Sequence, residues 1–85
     1  MADEATDGRP DDAAVVRAAV DAAEDVIFSR YDRSTIRDLD VTVHFDDGQL
    51  AVDVYLDVPD DPEAERVADD AALAARGAVD ALLEG

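Results

Sequence analysis

Residues 38–59 read DLDVTVHFDDGQLAVDVYLDVP, and the fold turns on whether they form one hairpin. Leu39, Val41, Val43 and Phe45 alternate with Asp40, Thr42 and His44. After Asp47-Gly48 the alternation resumes, with Leu50, Val52, Val54, Leu56 and Val58 separated by Ala51, Asp53, Tyr55 and Asp57. A period of two is that of a half-buried strand. If Asp47-Gly48 forms a two-residue type I′ turn, Phe45 faces Leu50, Val43 faces Val52, Val41 faces Val54 and Leu39 faces Leu56. Every apolar residue then meets an apolar partner, and a slip of one residue would destroy the match.

On either side of this hairpin the period changes to that of a helix. From Asp11 or Asp12, both good N-caps, a helix is expected to run to about Arg30. Its buried face is predicted as Val16, Ala19, Val20, Ala23, Ile27 and Tyr31, with Arg17, Asp21 and Asp25 opposite. A connector spans about 32–38. Beyond Pro59, the run DDPEAER opens a second helix capped by Asp60 or Asp61, with Pro62 in its first turn and acids at the positive end of its dipole. That helix should reach about Leu83, burying Ala64, Val67, Ala68, Ala71, Ala75, Ala78 and Leu82. Residues 1–10 carry no periodic pattern and read as a flexible acidic tail, leaving 11–85 as a single small α+β domain.

The order helix, strand, strand, helix carries a geometric difficulty. Two helices side by side need about 20 Å of width, whereas two strands lie about 4.8 Å apart. An isolated hairpin is also marginal in water and leaves two edges unpaired. Extending the sheet with a strand from a partner or a second copy relieves both defects. Oligomerisation or docking, through the sheet edge or the helices, is therefore the expected mode of action. Val41, Val43, Val52 and Val54 are the candidate edge residues, because their backbone N–H groups point away from the hairpin in this register. Phe28 and Leu73 are candidate anchors: helical wheels put each on the polar side of its helix. Single exposed apolar residues are nonetheless ordinary, and Phe28 is close enough to its helix end to fold back under the connector.

Composition bounds the rest. An 85-residue chain is one domain, expected to bury roughly 60–65% of its unfolded surface, with little stability in reserve. It has no cysteine, so neither disulfides nor thiolate metal sites arise. No apolar run approaches the roughly 20 residues of a membrane span, and MADEATDGRP lacks a signal pattern, so a cytoplasmic protein without membrane contact is expected. The net charge is −16, built from 18 Asp, 5 Glu and 7 Arg with no Lys. Such a balance resembles proteins of salt-loving archaea, where molar salt screens charge to about 3 Å.

Candidate chemistry is sparse. His44, the one histidine, lies on the polar strand face beside Thr42 and diagonal to Asp53, with no Ser or Cys nucleophile near it. Asp38, Asp40, Asp53 and Asp57 share that face as solvated acids, and HFDDGQL lacks the ligand spacing of a calcium loop. No cofactor, metal or small-molecule substrate is expected, and no enzymatic role. Arg30, Arg33 and Arg37 cluster within FSRYDRSTIRDLD (28–40), but Asp32, Asp38 and Asp40 cancel them. A nucleic-acid face needs an uncompensated excess of cations, so charge balance is the default reading. As the least negative part of the chain, this stretch is where RNA would be met within a larger assembly.

The run SRYDRSTIRDLDVTVHFDDGQLAVDVYLDVP, followed by VADDAALAARGAVDALL, resembles the small archaeal family known as domain of unknown function 3194, over about residues 13–83. The DLDVTV and LAVDVYL strands and the alanine-rich closing helix carry the likeness. The element order also resembles the Pcc subunits of the KEOPS complex, which makes the threonylcarbamoyl modification of tRNA. Pcc subunits have a further strand ahead of the first helix, and residues 1–10 show no strand pattern, so no binding residue is carried over. The resemblance implies a non-catalytic accessory subunit that touches RNA only indirectly, within a complex. Members of the archaeal family are also encoded near the prefoldin beta subunit, which implies, as the alternative, a chaperone-associated adaptor.

Overall fold

The computed structural model describes residues 11–84; the tail expected over 1–10 lies outside them. Helix α1 (Asp12–Arg30) is followed by a 3-10 turn at Arg33–Thr35, strands β1 (Asp38–Asp46) and β2 (Gln49–Asp57), and helix α2 (Ala64–Glu84). The protein is an α+β fold in two layers, with one two-stranded antiparallel sheet against a pair of helices. Its register pairs Leu39 with Leu56, Val41 with Val54, Val43 with Val52 and Phe45 with Leu50, as the alternation predicts. Asp47 and Gly48 turn the chain with φ of 55° and 74°. Positive φ at both positions is the requirement of a type I′ turn, whose twist matches that of the strands it joins.

Local chemistry sets the helix ends. Asp11 caps α1, its Oδ1 accepting from the Ala14 N–H at 2.8 Å. At the far end Tyr31 leaves the helix in extended conformation while its N–H still donates to the Ile27 carbonyl at 3.0 Å. At the entry to α2 the second of the two expected caps, Asp61, is used, and regular helix starts later than Pro62. Pro59 and Asp60 form a tight turn in which the Asp61 N–H donates to the Val58 carbonyl at 3.2 Å. Asp60 has φ 64° there, which suits the third position of a type II turn after proline. Asp61 is then the cap, accepting from the Glu63 N–H at 2.8 Å, and regular helix begins at Ala64.

The core lies between the helices and under the base of the hairpin. Val15, Ala19, Ala23 and Ile27 of α1 are buried with Ala64, Val67, Ala68, Ala71, Ala75 and Val79 of α2, and with Leu56 and Val58. Several positions correct the expected stripes: Val20, Tyr31 and Leu82, expected on the buried faces, are only half-buried. Val15 rather than Val16 is the fully buried valine of α1, because the stripe runs at a strict spacing of four, 15-19-23-27. Val79 is buried where Ala78 was expected, with Ala78 beside it at the margin. The small alanines let α1 and α2 come together, while α1 lies against β1 and α2 against β2. No polar or charged side chain is buried among the described residues.

Farther along the strands the cover thins. Leu39, Val41, Val43, Phe45, Leu50, Val52 and Val54 touch the core but are only partly buried. Among the described residues both long edges of the sheet are unpaired. The difficulty of width predicted from the sequence is thus met by partial exposure of the hairpin's apolar face.

Candidate functional site

Three surfaces carry the residues singled out from the sequence: the two sheet edges, the outer face of α2, and the end of the domain where the connector meets the β2–α2 turn. At the edges, Asp46 and Gln49 close the turn. The closing pair of a two-residue hairpin is hydrogen-bonded, and such pairs alternate along the ladder. Val41 and Val43 therefore turn their N–H groups outward on one edge, and Val52 and Val54 on the other. Their side chains are half-buried, so each edge joins free backbone donors to a strip of incompletely covered apolar surface.

The two anchors come out differently. Leu73 is 67% exposed, on the polar face of α2 as expected. Phe28 is not displayed on the polar side of α1: it is half-buried against the core, and the Arg33 guanidinium stacks over its ring at 4.8 Å from the centroid. The 3-10 turn folds the connector back over the helix end, a tertiary event that a helical wheel does not register. The sequence reading did not mark Tyr55, 54% exposed on the outer sheet face opposite Asp40; its place in the β2 alternation was the available signal.

The arginines of the connector disperse among different partners. Arg37 Nε donates to Asp57 Oδ2 at 2.8 Å, and its backbone N–H donates to the Asp57 carbonyl at 2.8 Å, fastening the start of β1 to the end of β2. The carboxylate raises the pKa of Arg37 further above its ordinary value. Arg30 lies 3.9 Å from Asp70 of α2, and Arg33 covers Phe28. Each positive group therefore has a place within its own chain, consistent with charge balance.

Between these arginines and the β2–α2 turn is an open groove of about 520 Å³, with Phe28, Tyr31, Val58 and Pro59 as its apolar lining and Asp32, Asp60 and Asp61 as its acidic lining. Its two aliphatic hydroxyls are engaged with backbone: Ser29 Oγ donates to the Val26 carbonyl and Thr35 Oγ1 to the Asp32 carbonyl, both at 2.8 Å. The hydrogen-bonding approach of the Tyr31 hydroxyl holds the Asp61 carboxyl below the usual carboxylate range, helped by the Glu63 N–H. The same approach raises the Tyr31 phenol, with desolvation and the charges of Asp61 and Glu63 adding to it. A depressed carboxyl favours the fold above its unfolded pKa and loses that contribution as pH falls through the folded value. For a raised phenol the contribution is present below about pH 10 and is lost as pH rises through the folded value. Tyr31→Phe should therefore move the Asp61 titration upward, partway to an ordinary aspartate because Glu63 still donates. Carbon-detected NMR titration of Asp61 in both proteins checks this, and an unchanged midpoint would remove Tyr31 as the main cause.

His44 is exposed at the hairpin tip, opposite Ala51, beside a second depression of about 310 Å³ that Asp46, Asp47 and Gln49 also line. Among the described residues no group of three or more His, Cys, Asp or Glu is arranged to hold a metal ion, and no helix is long and apolar enough to cross a membrane.

Comparison with known proteins places the chain among archaeal relatives. An uncharacterized protein of Natronomonas pharaonis, a halophilic archaeon, is 54% identical over 70 residues, covering 82% of this chain and 84% of the relative. No solved structure matches. The pattern of the family described as "Protein of unknown function (DUF3194)" matches residues 10–82, nearly the whole folded part, so the chain belongs to that family.

Proposed function

We propose that this protein is a non-catalytic interaction subunit of a cytoplasmic complex in a halophilic archaeon, and that its partner adds a strand to an open edge of the hairpin. The observation that carries this reading is the pairing, on each edge, of outward N–H groups with an apolar face that its own helices cover only in part. An added strand would satisfy the donors and complete the cover in one step. The non-catalytic part is supported by the engaged hydroxyls of Ser29 and Thr35 and by the isolated, exposed His44.

KEOPS is the specific complex to which the resemblance of element order leads, with RNA engaged only through the assembly. Arg30, Arg33 and Arg37 face their own chain's groups, which suits an indirect role. Copurification from a halophilic archaeon in native salt, with partners identified by mass spectrometry, tests this assignment. KEOPS subunits are the expected result, and prefoldin recovered in their place would shift the protein to chaperone-associated adaptor.

Hydrogen exchange tests the edge itself. In the monomer the amides of Val41, Val43, Val52 and Val54 meet only water and should exchange fast. On assembly, those of the joined edge should gain protection and lose it again on dilution. Fast exchange at all four in the fully assembled state would rule out sheet extension.

A further inference from the structure

Helix α2 contains a glycine that its own chain does not require. Gly77 sits in the middle of the helix and is exposed, and a Cβ built on it would meet nothing within 4 Å. Glycine in a helix interior costs about 1 kcal/mol relative to alanine, so an open position offers no intrachain reason for it. One turn before it is Leu73, 67% exposed. At about 100° per residue, Arg66, Asp69, Arg76, Gly77 and Asp80 all fall within about 60° of Leu73 on the helix surface. Asp70 and Glu84 fall within the same sector, so this face carries two Arg against four acids, of which Asp69 and Asp80 match the two Arg in number.

The geometry points to self-association: two copies pack their α2 helices antiparallel about a two-fold axis at Leu73, each Leu73 lying in the notch left by Gly77 of the other copy. The charges fit this arrangement and no shifted one as well. Arg66 and Asp80 lie seven residues to either side of Leu73, about 10.5 Å along the axis, so the two-fold brings Arg66 of one copy level with Asp80 of the other. Asp69 lies about 6 Å before Leu73 and Arg76 about 4.5 Å after it, on the same flank, so they also meet across the axis. Both pairs occur twice. Asp70, on the opposite flank, is turned to Arg30 of its own chain, and Glu84 lies at the helix end, about 16 Å beyond Leu73 and outside the paired stretch. In high salt these pairs set register more than affinity, whereas Leu73 and the close approach at Gly77 supply the contact. A single helix pair is a small interface, at the low end of the size range below about 1,200 Å², so the dimer is a weak one.

This extends the proposed interaction role by naming a second surface and its occupant, and it leaves both sheet edges free. Sedimentation equilibrium in about 2 M KCl, from about 10 μM to about 1 mM protein, is expected to show a monomer–dimer equilibrium. Gly77→Gln introduces a better helix former into open space and should raise thermal stability while weakening the dimer at least about tenfold. Leu73→Asp should weaken it similarly. Arg66→Asp should weaken it too, with affinity restored when Asp80→Arg is added. A chain that stays monomeric throughout, or a dimer indifferent to Gly77→Gln and Leu73→Asp, overturns the inference. Protection confined to the strand amides would identify the sheet edge as the dimer surface, which sinks this proposal while sparing the edge reading.

Discussion

In dilute buffer the helical signal of this protein should be lost, returning when KCl rises above a few tenths molar. Sixteen uncompensated negative charges act over about 10 Å at 0.1 M salt and about 3 Å at 1 M. The fold brings many of them closer than they lie in an open chain. Asp38 is directly opposite Asp57 in the sheet, and Asp46 and Asp47 adjoin at the turn. Among the described residues the ion pairs that relieve this are Arg30–Asp70 at 3.9 Å and Arg37–Asp57 at 2.8 Å, both exposed. Exposed pairs contribute little, about 1 kcal/mol or less each. Against the repulsion stands a core whose largest fully buried side chains are one isoleucine and three valines. Circular dichroism across a KCl series, with sucrose at matched osmolality as control, decides the matter. A spectrum unchanged down to tens of millimolar salt would show that charge repulsion is not what limits this fold.

Ile27→Ala should be the most damaging conservative truncation. Ile27 is completely buried and is the largest such side chain, the other fully buried ones being valine and alanine. Removing three carbons there loses their transfer energy and leaves a cavity, typically about 2–5 kcal/mol together. Marginal domains have only about 5 kcal/mol in total, so the variant should be largely unfolded at modest salt and recoverable only in concentrated KCl. Urea titration in about 2 M KCl measures the loss without adding denaturant charge. Leu83→Ala, on a side chain 48% exposed, is the control and should cost well under 1 kcal/mol. Equal midpoints for the two variants would mean that the α1–α2 seam does not hold the domain together.

The hairpin was fully legible, register included, because a period of two admits one face-to-face match and Asp47-Gly48 has the residues its turn demands. Val15 and Val79 lie within a residue of the expected buried stripes. Val15 and Val16 adjoin at the edge of the stripe, as do Ala78 and Val79, and the choice between neighbours rests on the angle at which α1 meets α2, which no local pattern contains. The start of α2 moved to Ala64 because Asp60 takes a left-handed conformation, which Asp tolerates without announcing it. Of the candidate sites, the outward amides follow from register alone. By contrast, the stacking of Arg33 on Phe28 and the Tyr31–Asp61 approach join separate segments through the folded connector. Asp61 was legible as a cap, but nothing in its neighbourhood of sequence points to Tyr31.

The alanine seam between the helices has a consequence for mutational tolerance. At a position such as Ala71 or Ala75, fully buried against α1, glycine would cost the helix about 1 kcal/mol. Valine would overpack the contact by about 1–3 kcal/mol. Serine would set a hydroxyl in a core that contains no polar side chain, leaving only its own helix carbonyls to receive it. Every single-residue neighbour of alanine in size is thus disfavoured, while the outer face a few ångströms away accepts almost any charged residue. The admissible sequence space of α2 is therefore sharply two-sided: the alanine positions of the seam permit a single residue type, while most outer positions take an alphabet limited chiefly by salt.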